Sequence, residues 1–266
     1  MRVAALCACL GVLVVAAAGA YSIPTGVGKM TVTPNRVLAG SQTELTFTFV
    51  ADTAALNGTM LFDVPRGWST PQRTSPAAPG YVELQASGCA GSRISSIAGR
   101  RIVIATKCPR RHLFTLVYRR ANVPQISADG YDFLTQTRPA GAPRKTPFKP
   151  LGWRKQPVVR VRGAAAAGLF LAVTNIATSG TPFGAIVRAV DQFGNNASDY
   201  AGTITLTSSD PAATLPTPYA YGTTDASQHT FGGIVLRTAG TQTITATDSH
   251  GFTVQSAPIT VSPSSG

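Results

Sequence analysis

Three groups of side chains in this 266-residue chain have types and spacings that could do chemistry. Asp248, Ser249 and His250 are consecutive, and an acid, a hydroxyl and an imidazole are the parts of an activated nucleophile. Triad members must converge in space, however, and neighbours on one tight turn seldom do. Asp191, Asn195 and Asp199 offer oxygen donors around Gln192-Phe193-Gly194, but their spacing is not that of a calcium loop. Asp and Asn in such a stretch more often hold Asx turns and left-handed backbone. The third group is basic: Arg100, Arg101, Lys107, Arg110, Arg111, Arg119 and Arg120, followed by Arg144, Lys145, Lys149, Arg154 and Lys155. Arginine forks match phosphate and carboxylate, and Tyr118, Phe148 and Trp153 lie near enough in sequence to offer stacking faces. Such a group either attracts polyanions or keeps a secreted surface solvated.

Other chemistry is sparse. Neither H-E-x-x-H nor G-x-S-x-G occurs, and Asp129 and Asp132 flank a turn rather than face each other. Two cysteines with His112 are too few ligands for zinc. No catalytic residue, metal site or cofactor is expected, and the absence of a nucleic-acid motif argues against sequence-specific nucleic-acid binding.

The N-terminus reads as a secretory signal over residues 1–20. Arg2 supplies the positive start, Val3 to Ala18 the apolar stretch, and Ala18-Gly19-Ala20 a small-x-small cleavage site before Tyr21. Retention of this stretch as an anchor is the alternative, since about 18 apolar residues can just span a bilayer. No later segment is apolar and long enough to do so, so no transmembrane helix is expected in the mature chain. Cys7 and Cys9 would leave with the signal. Cys89 and Cys108 then remain, and two thiols in an exported chain most often pair. They flank a hairpin in this reading, with Val82 to Cys89 running out and Ile102 to Cys108 returning.

Charge divides the chain. Residues 21–162 hold 20 Lys or Arg against 6 Asp or Glu, whereas residues 163–266 hold 2 against 5, within an overall balance of +12. Opposite signs imply two modules, and the boundary falls at the Gly/Ala-rich stretch 163–168, too short for a stable helix. The modules are expected to fold separately and to share a modest interface. Both show alternating apolar and polar residues punctuated by Gly, Pro, Asn and Asp, with no 3.6-residue period. In the first, Leu45, Phe47 and Phe49 face one way, and Met60 to Val64, Tyr81 to Leu84, Arg101 to Ala105, Leu113 to Tyr118 and Tyr131 to Thr135 continue the pattern. In the second, about seven strands fall between Leu169 and Val261, the spacing of a sandwich. The fold class is therefore all-β: two β-sandwich domains, 21–162 and 169–262, with a tail at 263–266.

The run PFGAIVRAVDQFGNNASDYAGTITLTSSD, with QHTFGGIVLRTAGTQTITATDS after it, resembles the bacterial immunoglobulin-like repeats of large secreted and cell-surface proteins. Residues 26–162, with TVTPNRVLAGSQTELTFTF and VPRGWSTPQ, resemble such units more loosely. The resemblance implies two immunoglobulin-like sandwiches in tandem, and a structural role for His229 in its His-Thr-Phe run. It further implies a non-enzymatic protein, secreted or at the cell surface, acting in adhesion, surface architecture or ligand presentation. Its expected partners are an anionic envelope polymer or glycan and a surface protein. The alternatives are an accessory, carbohydrate-facing part of a secreted enzyme, or a spacer.

Overall fold

The computed structural model describes residues 25–143 and 145–264, so the expected signal segment and Arg144 lie outside the described residues. The first domain contains β1 (Lys29–Thr33), β2 (Arg36–Leu38), β3 (Gln42–Val50), β4 (Leu56–Asp63), β5 (Tyr81–Gln85) and β6 (Arg93–Ala98). It continues with β7 (Arg101–Cys108), β8 (Leu113–Asn122), β9 (Ala128–Asp132), β10 (Thr135–Pro139), β11 (Lys149–Pro150), a 3₁₀ turn at Trp153–Lys155, and β12 (Val158–Arg162). The second contains β13 (Gly168–Val173), β14 (Ile176–Thr178), β15 (Pro182–Val190), β16 (Thr203–Ser208) and β17 (Tyr219–Ala220). Its remaining strands are β18 (Gln228–Val235), β19 (Gly240–Gln242), β20 (Ile244–Asp248), β21 (Thr253–Gln255) and β22 (Ile259–Ser262).

Period-2 patterning decides which side chains point inward. Along β3, Leu45, Phe47 and Phe49 are fully buried while the threonines between them are partly exposed. Sheet β1-β3-β8-β5 packs this face against the inner face of β11-β10-β4-β7-β6, where Met60, Phe62, Ile102 and Ile104 are buried. The second domain has its own core, built on Val187, Ile204, Phe231, Ile234, Ile244 and Ile259.

Beneath different sequences the domains share one strand frame. The opening strand pairs antiparallel with the third in both, β1 with β3 and β13 with β15. The third pairs onward, β3 with β8 and β15 with β18. A short second strand crosses over to pair in parallel with the last, β2 with β12 and β14 with β22. β4 with β10 and β16 with β20 close the opposite sheets. Each frame carries a bulge at the same place, after Thr43 in β3 and after Phe183 in β15. The turns before these bulges match as well: Gly40 (φ 67°) donates to the Pro124 carbonyl and Gly180 (φ 80°) to the Leu236 carbonyl, at 3.1 and 2.9 Å. The chain is thus two immunoglobulin-like β-sandwich domains in tandem.

Several boundaries differ from those read in the sequence. Cys89 and Cys108 are bonded, with Cα atoms 4.3 Å apart, but they do not flank one hairpin. Residues 93–98, which lie between the two runs of that reading, form β6, which makes the hairpin with β7. β5 instead pairs with β8 in the other sheet, so the disulfide ties the β5–β6 crossover to the end of β7. Tyr131 to Thr135 is not one strand. Phe133 is fully buried and donates its amide to Pro157, and the chain changes sheet there, from β9 to β10. The second domain repeats this break at Thr243, whose amide donates to Ser209 Oγ between β19 and β20. A local hydrophobic pattern runs unbroken through such a switch, because both sheets bury the same side of the chain.

Candidate functional site

β7 divides its residues between core and solvent: Ile102, Ile104, Thr106 and Cys108 point inward, Arg101, Val103, Ala105 and Lys107 outward. Strand register then sets which side chains share the outer face. Arg138 on β10, Thr59 on β4, Ala105 on β7 and Arg93 on β6 stand directly opposite one another in one row. Lys107 stands in the adjoining row opposite Asn57. Between the β6–β7 rim and the turn after β10 lies a cleft of about 270 Å³ whose charged lining residues are Arg93, Lys107 and Arg138. No carboxylate lines it among the described residues. Gly91 (φ 85°) and Gly141 (φ 77°) turn the backbone at its two ends in a conformation that favours glycine. The Arg138 guanidinium lies 4.3 Å from the centre of the Phe148 ring and donates to the Thr146 carbonyl at 3.5 Å. Arg93 and Lys107 are cations of the kind that bind phosphate, sulfate or carboxylate groups.

The seven basic residues singled out in the sequence do not form one face. β7 and β8 are consecutive in the chain but belong to opposite sheets, which separates Arg101 and Lys107 from Arg119 and Arg120. Arg100 is consumed by structure: it donates to the Val64 carbonyl at 3.0 Å, the Trp68 carbonyl at 2.7 Å and the Pro65 carbonyl, holding the turn after β4. Arg101 binds both oxygens of Asp63, at 2.7 and 2.9 Å, and this pairing pushes its pKa up from the usual arginine value. Arg119 pairs with Glu83 at 3.2 Å and lies 3.8 Å from Glu44. Arg110 and Arg111 are exposed on the β7–β8 turn, where Arg111 takes φ 67°, and Arg120 is exposed at φ 49°. Of the seven, Lys107 alone lines the cleft. Arg93 and Arg138 were missed because their approach depends on strand order, with β6 and β10 flanking the β4–β7 pair. Tyr118 offers no stacking face, being fully buried with its hydroxyl donating to the Ser69 carbonyl at 2.5 Å, and burial pushes its pKa up. Trp153 is 78 % exposed, with Arg154 4.5 Å from its ring centre.

The remaining candidates are structural. Ser249 Oγ accepts the Thr203 amide at 3.1 Å, while buried Asp248 accepts the Tyr200 hydroxyl at 2.7 Å and the amides of His250 and Phe252 at 2.9 and 2.7 Å. Burial opposes ionisation of Asp248, but the Tyr200 hydroxyl and these amides outweigh it and hold its pKa below the usual carboxylate value. His250 Nδ1 lies 3.2 Å from Asp248, so the three neighbours build a turn. His229 stacks on Tyr219 with ring centres 3.5 Å apart. Asp191 spends its carboxylate on amides, Asp199 pairs with Arg162 at 2.9 Å, and no metal-ligand cluster occurs among the described residues. A larger cleft of about 470 Å³ opens between the domains, and that Arg162–Asp199 pair lines it. No helix among the described residues is long and apolar enough to cross a membrane.

No family model matches the chain, and no curated protein does. Among solved structures, BslA, described as a bacterial hydrophobin, is 14 % identical with a TM-score of 0.35, covering 53 % of this chain and 98 % of its own. The type II cohesin dyad from the adaptor ScaA scaffoldin of Acetivibrio cellulolyticus is 10 % identical with a TM-score of 0.33, covering 91 % and 98 %. A marsupial T cell receptor is 10 % identical with a TM-score of 0.30, covering 91 % and 74 %. At these scores the neighbours carry no weight, and the assignment of fold rests on the strand pairing itself.

Proposed function

We propose that this chain is an exported, non-enzymatic module of the secreted or cell-surface kind. Its first domain holds an anionic polymer against the outer face of the five-stranded sheet. One observation carries the reading: Arg93 and Lys107, on neighbouring strands, line one cleft on that face. The charge asymmetry supports it, with 20 cations against 6 acids in residues 21–162 and 2 against 5 beyond, so the long-range field draws a polyanion to the first domain. Export is supported by the Cys89–Cys108 disulfide, a bond that persists in oxidising compartments, and by the signal-like composition of residues 1–20. Adhesion, surface architecture or ligand presentation follows from the resemblance of residues 169–262 to bacterial immunoglobulin-like repeats.

The test is retention on an immobilised anionic polysaccharide eluted with salt. R93S/K107S is expected to elute at lower salt than the unmodified protein with an unchanged melting temperature. R36S/R120S, which removes the same charge from other strands, is expected to elute close to the unmodified protein. Equal losses in both variants would reduce the effect to net charge and overturn the assignment of the site.

A further inference from the structure

The stretch between the two cores is less free than its Gly/Ala composition implies. Asp191 ends the inner run of β15, and its carboxylate accepts the amides of Phe193 and Asn195, each at 2.9 Å, which shapes the turn that follows. Its other oxygen accepts the amide of Ala164 in the connecting segment at 2.9 Å, and the Ala164 carbonyl accepts the Ser198 amide at 3.0 Å. The same carboxylate orients Asn195 through Nδ2 at 2.8 Å. Asn195 then reaches the first domain's β8–β9 connection with both ends of its amide: Nδ2 donates to the Gln125 carbonyl at 2.7 Å, and Oδ1 accepts the Ser127 amide at 2.8 Å. Phe193 packs against the first domain's core, its ring seated on Gly40.

The receiving surface is fitted to this loop. A Cβ at Gly40 would stand 2.3 Å from the Phe193 ring, and one at Gly163 would stand 2.0 Å from the Asn196 carbonyl oxygen. Domains joined by small interfaces move relative to each other by default. Here one loop, its shape fixed by a buried carboxylate, is bonded to the connecting segment, bonded to the neighbour's backbone and packed on the neighbour's core. We infer that the loop 191–196 is a docking key that locks the two domains in one fixed orientation, so that the chain behaves as a single rigid arm.

Residual dipolar couplings and ¹⁵N relaxation of the full chain test this directly. The unmodified protein is expected to fit one alignment tensor and one rotational correlation time across both domains. F193A and N195A are each expected to split the data into two tensors, with couplings inside each domain unchanged. If F193A disturbs the fold of the second domain, N195A decides alone, because its side chain touches the first domain's backbone and not a core. Two independent tensors in the unmodified protein would overturn the inference, as would a single shared tensor retained in N195A.

Discussion

Where the first domain packs phenylalanine and tryptophan rings along the middle of its core, the second lines the matching strand with short aliphatic side chains, sets Tyr200, Tyr221 and Phe231 beside them, and secures its loops with buried carboxylates. Phe47 sits 4.7 Å from Phe62 and 4.8 Å from Phe133, and Trp68 stands edge-on to Phe133 at 5.2 Å. β15 matches β3 in length and bulge position, yet it buries Ala185, Val187 and Ala189 where β3 buries Leu45, Phe47 and Phe49. Asp191, Asp210 and Asp248, all buried, each collect several backbone amides. One pairing frame thus tolerates two ways of being held. Strand order and register come from alternation and turns, while the stabilising contacts can be apolar area in one copy and charge-assisted hydrogen bonds in the other.

The contrast can be broken from either side. Phe47→Ala empties a fully buried ring position and is expected to cost the first domain about 3–5 kcal/mol, leaving the second unaffected. Both tryptophans, Trp68 and Trp153, lie in the first domain, so tryptophan fluorescence follows its unfolding while circular dichroism follows both. Asp210 accepts the amides of Ala212, Arg237 and Thr238 at 2.9, 2.6 and 3.0 Å and the Thr238 hydroxyl at 2.7 Å. Asp210→Ala strands these donors and is expected to cost about 2–3 kcal/mol in the second domain, with fluorescence silent.

Acid should sharpen the same difference. Burial of Asp210 opposes ionisation, but the bonds from Thr238, Arg237 and Ala212 prevail and lower its pKa from 3.8 to about 2. Its folded-state pKa is below the unfolded one, so its contribution is complete above the unfolded value and declines as pH falls from about 4 towards 2. Asp191 and Asp248 are lowered in the same direction. The dichroism transition of the second domain is therefore expected to weaken over that range before the tryptophan transition of the first. The smallest effect is expected at Arg101→Ser, below about 1 kcal/mol, because the Asp63 pair is half-exposed.

The all-β class, the two modules and the bonded cysteines were legible in the residues, since alternation, composition and cysteine count are local signals. The candidate site was mostly not. Lys107 was legible as part of a basic run, but Arg93 and Arg138 are distant from it in sequence and meet it only because β6 and β10 flank β7 and β4. Arg100 and Arg101 look free in sequence because their partners, the β4 turn and Asp63, lie more than thirty residues earlier. The sheet switches at Phe133 and Thr243 were hidden for a related reason: inward-facing periodicity continues across them, and only strand pairing records the change.

The central claim is that the first domain's outer face binds polyanions through discrete cations. The most direct measurement is the affinity of the unmodified protein and of R93S/K107S for a soluble anionic polysaccharide across a range of salt concentrations. Counterion release makes log affinity fall linearly with log salt, and removing two cations from the contact should make that slope shallower by roughly two. That result supports the cleft as the site. An unchanged slope in R93S/K107S would contradict it.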